Sequence, residues 1–194
     1  FKLYGTWTNS EIQKSNENLK GEHVGAYLVF DTQENGEVLA KVSSSFINHA
    51  QASINLNREI PENISFDELV EEGKLVWNNE LSKIKVTSQE SEKTNEDLIK
   101  FYSSLYRTIL FPRQFHEYDL DNNQIHYSPY DGNIYDGPLY TDNGFWDTFR
   151  AVFPFYSLVY PEKLGEIIQG IMVNPYLESG WLPEWSSPGH RDCM

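Results

Sequence analysis

The sequence has 194 residues with 29 Asp and Glu against 15 Lys and Arg, a formal net charge of −14. This charge, with no basic cluster, argues against a nucleic-acid partner, because proteins bind phosphate backbones through basic groups. Hydrophobic residues at 39% and aromatic residues at 14% exclude a disordered chain, and no apolar run reaches the roughly 18 to 20 residues that span a bilayer.

The N-terminal part carries a strand pattern. An apolar run, HVGAYLVF at 23–30, is followed by a polar turn and a second run, VLAKV at 38–42. Short runs rich in β-branched and aromatic residues favour strands, so the pattern predicts two paired strands. Because an isolated hairpin is only marginally stable in water, we expect further strands to complete this sheet.

Two amphipathic helices are predicted in the middle of the chain. Ser65 and Glu68 form a capping box, and apolar residues recur at helical spacing after it, so the first helix is predicted over 66–84. The polar stretch 87–95 is predicted to be a linker. A second helix, capped by Thr94 or Asn95 and ended by Pro112, has a predicted buried stripe of Leu98, Ile99, Tyr102, Leu105, Tyr106 and Ile109.

The C-terminal half differs in composition. Twenty aromatic residues lie after residue 100 and eight before it. Residues 113–143 show no helical period, which indicates either a functional loop or an element that the pattern hides. Helical spacing returns over 145–152, and Pro161 is suitably placed to open another helix.

The candidate metal ligands form no complete motif. Asp119, Asp121 and Asn123 give the start of an EF-hand loop, but the Gly and the final Glu of that motif are missing. An exposed hairpin turn with Asx hydrogen bonds is the favoured interpretation. His116 and His126 have no partner at a metal-ligand spacing, so structural histidines are expected.

The segment 130–194 combines aromatic and charged residues in a way that suits a carbohydrate site. Sugars bind where flat aromatic faces stand beside groups that hydrogen bond to hydroxyls. Such residues are Trp146, Trp181 and Trp185 with Asp147, Arg150 and Glu184. The alternative is that Trp146 and Phe149 are core residues and that Asp147 acts only as a helix-start charge.

A family resemblance is carried by four blocks in a fixed order. They are KVSSSFINHAQASINLNREIP from Lys41, WNNELSKIKV from Trp77, FYSSLYRTILFPRQF from Phe101, and YTDNGFWDTFRAVFPFYSLVYP from Tyr140 followed by GWLPEW and GHRDCM. From about Val24 onward the chain resembles glycoside hydrolase family 92, the calcium-dependent exo-α-mannosidases abundant in gut Bacteroidetes. The W-D-T-F-R sequence is the most specific part of this resemblance.

The resemblance implies an α+β fragment of a larger enzyme. Residues 1–46 would be the last strands of an N-terminal β-sandwich, 47–93 a helical linker, and 94–194 the first helical hairpins of an (α/α)6 toroid. Both ends would continue into a longer polypeptide, the rest of which is the expected structural partner. The general acid, the general base and most ligands of the Ca2+ cofactor are expected after Met194, so the fragment by itself is expected to be inactive.

The resemblance also implies roles for residues of this chain. Trp146 is expected to be an aromatic wall of the pocket, and Asp147 to bind two hydroxyls of a terminal mannose. Arg150, three residues later, is expected to pair with Asp147 and orient it. Glu184 and Trp185 are weaker candidates for substrate contacts, and no catalytic or metal-binding residue is expected in this chain.

The expected substrate is a mannose-containing oligosaccharide with terminal α-linked mannose, α-1,2 bonds being the first expectation. The expected mechanism is inverting and calcium-assisted. A periplasmic, cell-surface or secreted location is implied by the family. Two alternatives remain at this point, a non-catalytic carbohydrate-binding module and another (α/α)6 glycosidase of trehalase-like or phosphorylase-like type.

Overall fold

A computed structural model of the chain describes residues 2–9, 11–33, 36–87, 92–183 and 185–186. The chain divides into two compact units, Phe1–Val42 and Ser43–Met194. No helix in the described part of the chain is both long and apolar enough to cross a membrane. The second unit contains every candidate site residue.

The first unit is a three-stranded antiparallel sheet. Its strands are β1 (Leu3–Thr8), β2 (Glu11–Lys14) and β3 (Gly25–Val29), in the order β2-β1-β3. The predicted strand at 23–30 is therefore confirmed by β3, but the predicted partner at 38–42 is wrong. The partner of β3 is β1, and residues 38–42 form no strand because Leu39 and Val42 stay exposed, with no apolar surface covering them.

Three helices open the second unit, namely α1 (His49–Glu59), α2 (Phe66–Leu81) and α3 (Glu92–Thr108). The predicted capping box is confirmed, since the Ser65 hydroxyl accepts from the Glu68 amide at 3.2 Å and Glu68 accepts from the Ser65 amide at 2.9 Å. The predicted linker 87–95 is too long, because α3 already begins at Glu92.

The stripe predicted for α3 is only partly buried. Leu105 is buried, and Leu98, Tyr102 and Ile109 are half-buried, a spacing of four, three and four residues that lies on one helix face. Ile99 is 67% exposed, because it lies off that face. The helix thus buries a narrower stripe than its apolar content suggests.

The stretch 113–143 contains strands that the sequence pattern hides. Its strands are β4 (Arg113–Gln114), β5 (Glu117–Tyr118), β6 (Gln124–Tyr127), β7 (Ile134–Asp136), β8 (Tyr140–Thr141) and β9 (Asn143–Gly144). Strands β5, β6 and β7 form an antiparallel sheet, β4 pairs with β8, and β9 pairs with β10 (Trp185–Ser186). Most are two or three residues long, which is too short to show a period.

The remaining helices are α4 (Phe145–Thr148), α5 (Val152–Val159), α6 (Pro161–Ile168) and α7 (Asn174–Ser179), with a π-helical turn at Gln169–Val173 joining the last two. Pro161 opens α6 as predicted. Pro175 lies two residues after the π-helical turn, in the first turn of α7, where a residue without an amide hydrogen is tolerated. The core of this unit is formed by Tyr140, Tyr156, Ile167 and Ile171.

Candidate carbohydrate site at the W-D segment

The segment that leads to Trp146 and Asp147 is held firmly on both sides. Strand β8 pairs with β4, and β9 pairs with β10, with Gly144 opposite Trp185. Between them Asp142 accepts a hydrogen bond from Arg113 and adopts a left-handed backbone conformation with φ of 60°, which Asp tolerates better than most residues. Short pairings and one tight turn thus fix where α4 begins.

Helix α4 exposes part of its side chains and packs Phe145 against the core. Trp146 is 63% exposed and Phe149 is 53% exposed, so neither aromatic is buried by the described residues. Asp147 is exposed as well and lies in the first turn of α4. A flat aromatic face and a carboxylate therefore stand next to each other on a rigidly held turn, which suits binding of sugar hydroxyls.

The expected pairing of Arg150 with Asp147 is not found. The guanidinium of Arg150 lies 5.0 Å from the ring centroid of Phe149, and no ion pair joins it to Asp147 among the described residues. The helical turn breaks after Thr148, and α5 starts only at Val152. Three-residue spacing brings side chains together only within a continuous helix, which explains the difference.

The other predicted residues lie on the chain that returns to this segment. Trp185 is in β10, whose backbone pairs with β9 directly before α4. Glu184 lies outside the described residues. Trp181 is highly exposed. The pairing of β9 with β10 therefore brings the backbone of Trp185 close to the start of the W-D turn, a juxtaposition that sequence spacing does not reveal.

A polar network that the sequence does not reveal lies behind this segment. The Tyr140 hydroxyl donates to Glu166 Oε1 at 2.7 Å, and Lys163 donates to Glu166 Oε2 at 3.0 Å. Gln124 Nε2 also donates to Glu166, at 3.1 Å, and lies 3.1 Å from His116 Nε2. The network joins β6, β8 and α6, so it fixes the strand that precedes the W-D turn.

The charges in this network follow from burial and hydrogen bonding. Burial lowers the pKa of His116 despite the attraction of Glu166, so the ring is neutral near pH 7. Burial alone would raise the pKa of Glu166, but hydrogen bonds from Tyr140 and Lys163 lower it overall. Burial and the hydrogen bond to Glu166 raise the pKa of Tyr140, which therefore keeps its proton.

His126 and the Asp-rich turn at 119–123 make hydrogen bonds within the fold. His126 is fully buried and contacts Gly137 and Glu178. Asp119 accepts from the amides of Asp121 and Asn123 at 2.9 and 2.8 Å, which confirms the Asx-bonded turn between β5 and β6. Throughout the described ranges, no three His, Cys, Asp or Glu side chains gather as a metal site. The described His, Cys, Asp and Glu side chains therefore do not fit a Ca2+ site.

One cavity lies between helices away from the W-D turn. It has a volume of about 340 Å3 and is lined by residues of α2, α5 and α6 and of the segments next to them, among them Trp77, Lys83, Tyr156, Tyr160 and Lys163. Lys83 lies 4.1 Å from the ring centroid of Tyr160, and Tyr156 donates to the Thr108 carbonyl at 2.7 Å. The lining contains none of Trp146, Asp147 and Arg150, so this cavity does not coincide with the W-D turn.

Comparison with solved structures identifies the class of protein. A family 92 inverting mannosidase from Bacteroides thetaiotaomicron matches with a TM-score of 0.85 and 43% sequence identity, over 100% of this chain and 25% of that protein. A second α-mannosidase of the same organism, solved with mannoimidazole, matches with a TM-score of 0.71 at 23% identity, over 98% of this chain and 25% of that one. At that identity the second likeness shows the fold alone. The fold is that of the matching part of a family 92 glycoside hydrolase.

The family follows from the sequence match. Residues 51–194 match the glycosyl hydrolase family 92 catalytic domain, and the chain belongs to that family. An uncharacterized secreted glycosidase of the fungus Arthroderma benhamiae is 32% identical over 94 residues, which are 47% of this chain and 12% of the fungal protein. The chain thus spans about a quarter of the length of the solved relatives and less of the fungal one.

Proposed function

We propose that this chain is part of an exo-acting α-mannosidase that removes terminal α-linked mannose from glycans. The observation that carries the proposal is the match over the whole chain, at 43% identity, to a protein described as an inverting mannosidase. The exposed aromatic and carboxylate pair at Trp146 and Asp147 supports it, because this pair has the chemistry of a sugar-binding wall.

In this proposal the chain supplies pocket wall and substrate contacts. Trp146 stacks on the apolar face of the mannose ring, and Asp147 accepts hydrogen bonds from two of its hydroxyls. Arg150, held over Phe149, contributes positive charge beside the pocket, and Glu184 and Trp185 are proposed as further substrate contacts. In the same proposal, residues 1–46 are the end of a β-sandwich, 47–93 are a helical linker and 94–194 are the opening of an (α/α)6 toroid.

The chemistry itself needs two further carboxyl groups. Inversion requires one carboxylic acid to protonate the leaving oxygen and one carboxylate to activate water on the opposite face of the ring, roughly 6.5–9.5 Å apart. We assign neither role to this chain. Calcium, when bound in the whole enzyme, would polarise and orient sugar hydroxyls, and we propose that most of its ligands lie outside this chain.

Location and linkage complete the proposal. The fungal relative is described as secreted, which supports export of this glycosidase to the periplasm, the cell surface or the medium. We place α-1,2-linked mannose first among the substrates to be tested. Dimannosides of each linkage, compared by kcat/KM, test that assignment, and a preference for another bond would overturn it.

The test of the site uses a chimera in which this chain replaces the matching quarter of the Bacteroides thetaiotaomicron inverting mannosidase. Each hydrogen bond to a charged group contributes about 1.5–3 kcal/mol, so Asp147→Ala, losing two, should lower kcat/KM for an aryl α-mannoside by about 10²- to 10⁴-fold. The matched control is Asp121→Ala, since Asp121 is equally exposed but lies in the β5–β6 turn. Unchanged kcat/KM in Asp147→Ala would refute the assignment of Asp147.

A further inference from the structure

A buried contact fastens α7 to the small sheet of β5, β6 and β7. Nε2 of His126, in β6, lies 2.8 Å from Oε1 of Glu178, in α7, although 52 residues separate them. The two side chains are 0% and 4% exposed. Neither has a role in the sugar site as proposed above, and burial of two ionisable groups is unfavourable unless they are paired.

The hydrogen bonds of the His126 ring show how His126 and Glu178 are held. Nδ1 of His126 lies 2.9 Å from the carbonyl oxygen of Gly137, and because a carbonyl can only accept, Nδ1 carries a hydrogen and donates it. The contact from Nε2 to Glu178 is then the second hydrogen bond of the ring. The second carboxyl oxygen of Glu178 is buried with no hydrogen-bond partner in the described part of the chain, so His126 alone fixes the carboxyl group.

The other end of α7 is fastened to the same strand connection. Nδ2 of Asn174 donates to the carbonyl of Pro138 at 2.7 Å, and Oδ1 of Asn174 accepts from Gln169 at 2.6 Å. Asn174, at the start of α7, therefore contacts Pro138 directly, and Glu178, near the end of α7, contacts His126, which itself contacts the adjacent Gly137. This arrangement leaves α7 little freedom to slide along the strand.

Strand β10 follows α7 in the sequence and pairs with the strand that precedes the W-D turn. Helix α7 ends at Gly180, which has φ of 78° and is the residue type that this conformation favours. The Trp181 amide donates to the Ser179 hydroxyl at 3.1 Å, which closes the turn next to Glu178. Strand β10 then pairs with β9, placing Trp185 opposite Gly144.

We infer that His126 and Glu178 are positioning residues of the mannoside pocket: by locking the end of α7 they fix the backbone of β10, which pairs with β9 directly before the W-D turn. This inference rests on the proposed function. It deepens that function by assigning the shape of one pocket wall to a contact that touches no substrate.

Kinetics of the chimera test the positioning role. Glu178→Leu removes the acceptor for His126, and we expect KM for an aryl α-mannoside to rise about tenfold with kcat within about twofold, as for loss of uniform binding. Glu178→Gln should stay within about twofold of the parent, since the amide can donate to the unprotonated Nε2 of a neutral ring. Glu162→Leu is the matched control, an exposed Glu on α6. Unchanged KM in Glu178→Leu, or a failure of Glu178→Gln to rescue, would overturn the inference.

Hydrogen exchange on the 194-residue chain separates this inference from the proposed function. In Glu178→Leu we expect the amides of β9 and β10 to exchange about tenfold faster than in the parent, with those of α3 unchanged. Equal acceleration in α3, or none in β9 and β10, would show that the pair does not position this strand. An inactive parent chimera would refute the proposed function, while the exchange result would still decide the role of the pair.

Discussion

The packing of the π-helical turn against the strand that leads to the W-D segment gives a sharp test of the fold. A Cβ atom added at Gly170 would lie 2.8 Å from Cδ2 of Tyr140, 3.1 Å from the carbonyl oxygen of Pro138 and 3.2 Å from Cα of Leu139. Two of these three neighbours are backbone atoms, which cannot rotate away. At Gly165, in α6, a Cβ atom would meet nothing within 4 Å.

These distances predict that replacing Gly by Ala changes the free energy of unfolding in opposite directions at Gly165 and Gly170. Replacing Gly by Ala inside a helix stabilises by about 0.5–1 kcal/mol, and forcing an extra methyl group into a packed site costs about 1–3 kcal/mol. We expect Gly165→Ala to raise the free energy of unfolding by about 0.5–1 kcal/mol and Gly170→Ala to lower it by about 1–2 kcal/mol.

Urea unfolding of the 194-residue chain, followed by tryptophan fluorescence and circular dichroism, measures both values. Equal m-values in the variants would show that the shifts in midpoint report stability. If Gly170→Ala proved as stable as Gly165→Ala, the close approach of the helix to Pro138–Tyr140 would be wrong, and with it the described support of the W-D turn.

Three further outcomes are expected. Ser65→Ala removes the cap of α2 and should lower the free energy of unfolding by about 1 kcal/mol. The control Ser103→Ala, on the exposed face of α3, should change it little. Equal effects of the two substitutions would show that the capping box does not stabilise the protein. Because the pKa of His116 is lowered by burial from its ordinary 6.5, the unfolded chain takes up a proton first, so stability should fall as pH drops from about 7 to 5.5; the same slope in His116→Gln would contradict this. The isolated chain should neither hydrolyse an aryl α-mannoside nor bind mannose measurably by calorimetry, and millimolar binding would instead favour a carbohydrate-binding module.

The sequence was sufficient to predict features that depend on residues close together within one helix or strand. The capping box of α2 depends on Ser65 and Glu68, three residues apart, and Pro161 opens α6 through its own ring geometry. The strand β3 was predicted from its apolar run, but its partner was not. Residues 38–42 are also rich in apolar residues. The strand that pairs with β3 is nevertheless β1, which the composition of the two segments does not reveal.

The exposed residues of the candidate site could be proposed from the sequence, but the contacts that support their segment could not. The residues of the W-D turn carry a recognisable motif, so Trp146 and Asp147 could be named from sequence, while Arg150 was given a partner that the break after Thr148 removes. The supporting contacts join distant segments, as in the pair of His126 and Glu178. Strands of two residues such as β9 have no periodicity, so their pairing emerges only from the tertiary structure.

The central claim is that this chain forms part of an α-mannosidase pocket, and its most direct test is hydrolysis by the chimera with the Bacteroides thetaiotaomicron enzyme. Proton NMR of the reaction with an aryl α-mannoside follows both the rate and the anomer first released. We expect turnover with release of β-mannose, the inverted product, together with loss of turnover in Asp147→Ala. A chimera that folds, as judged by circular dichroism and cooperative unfolding, but releases no mannose would contradict the account.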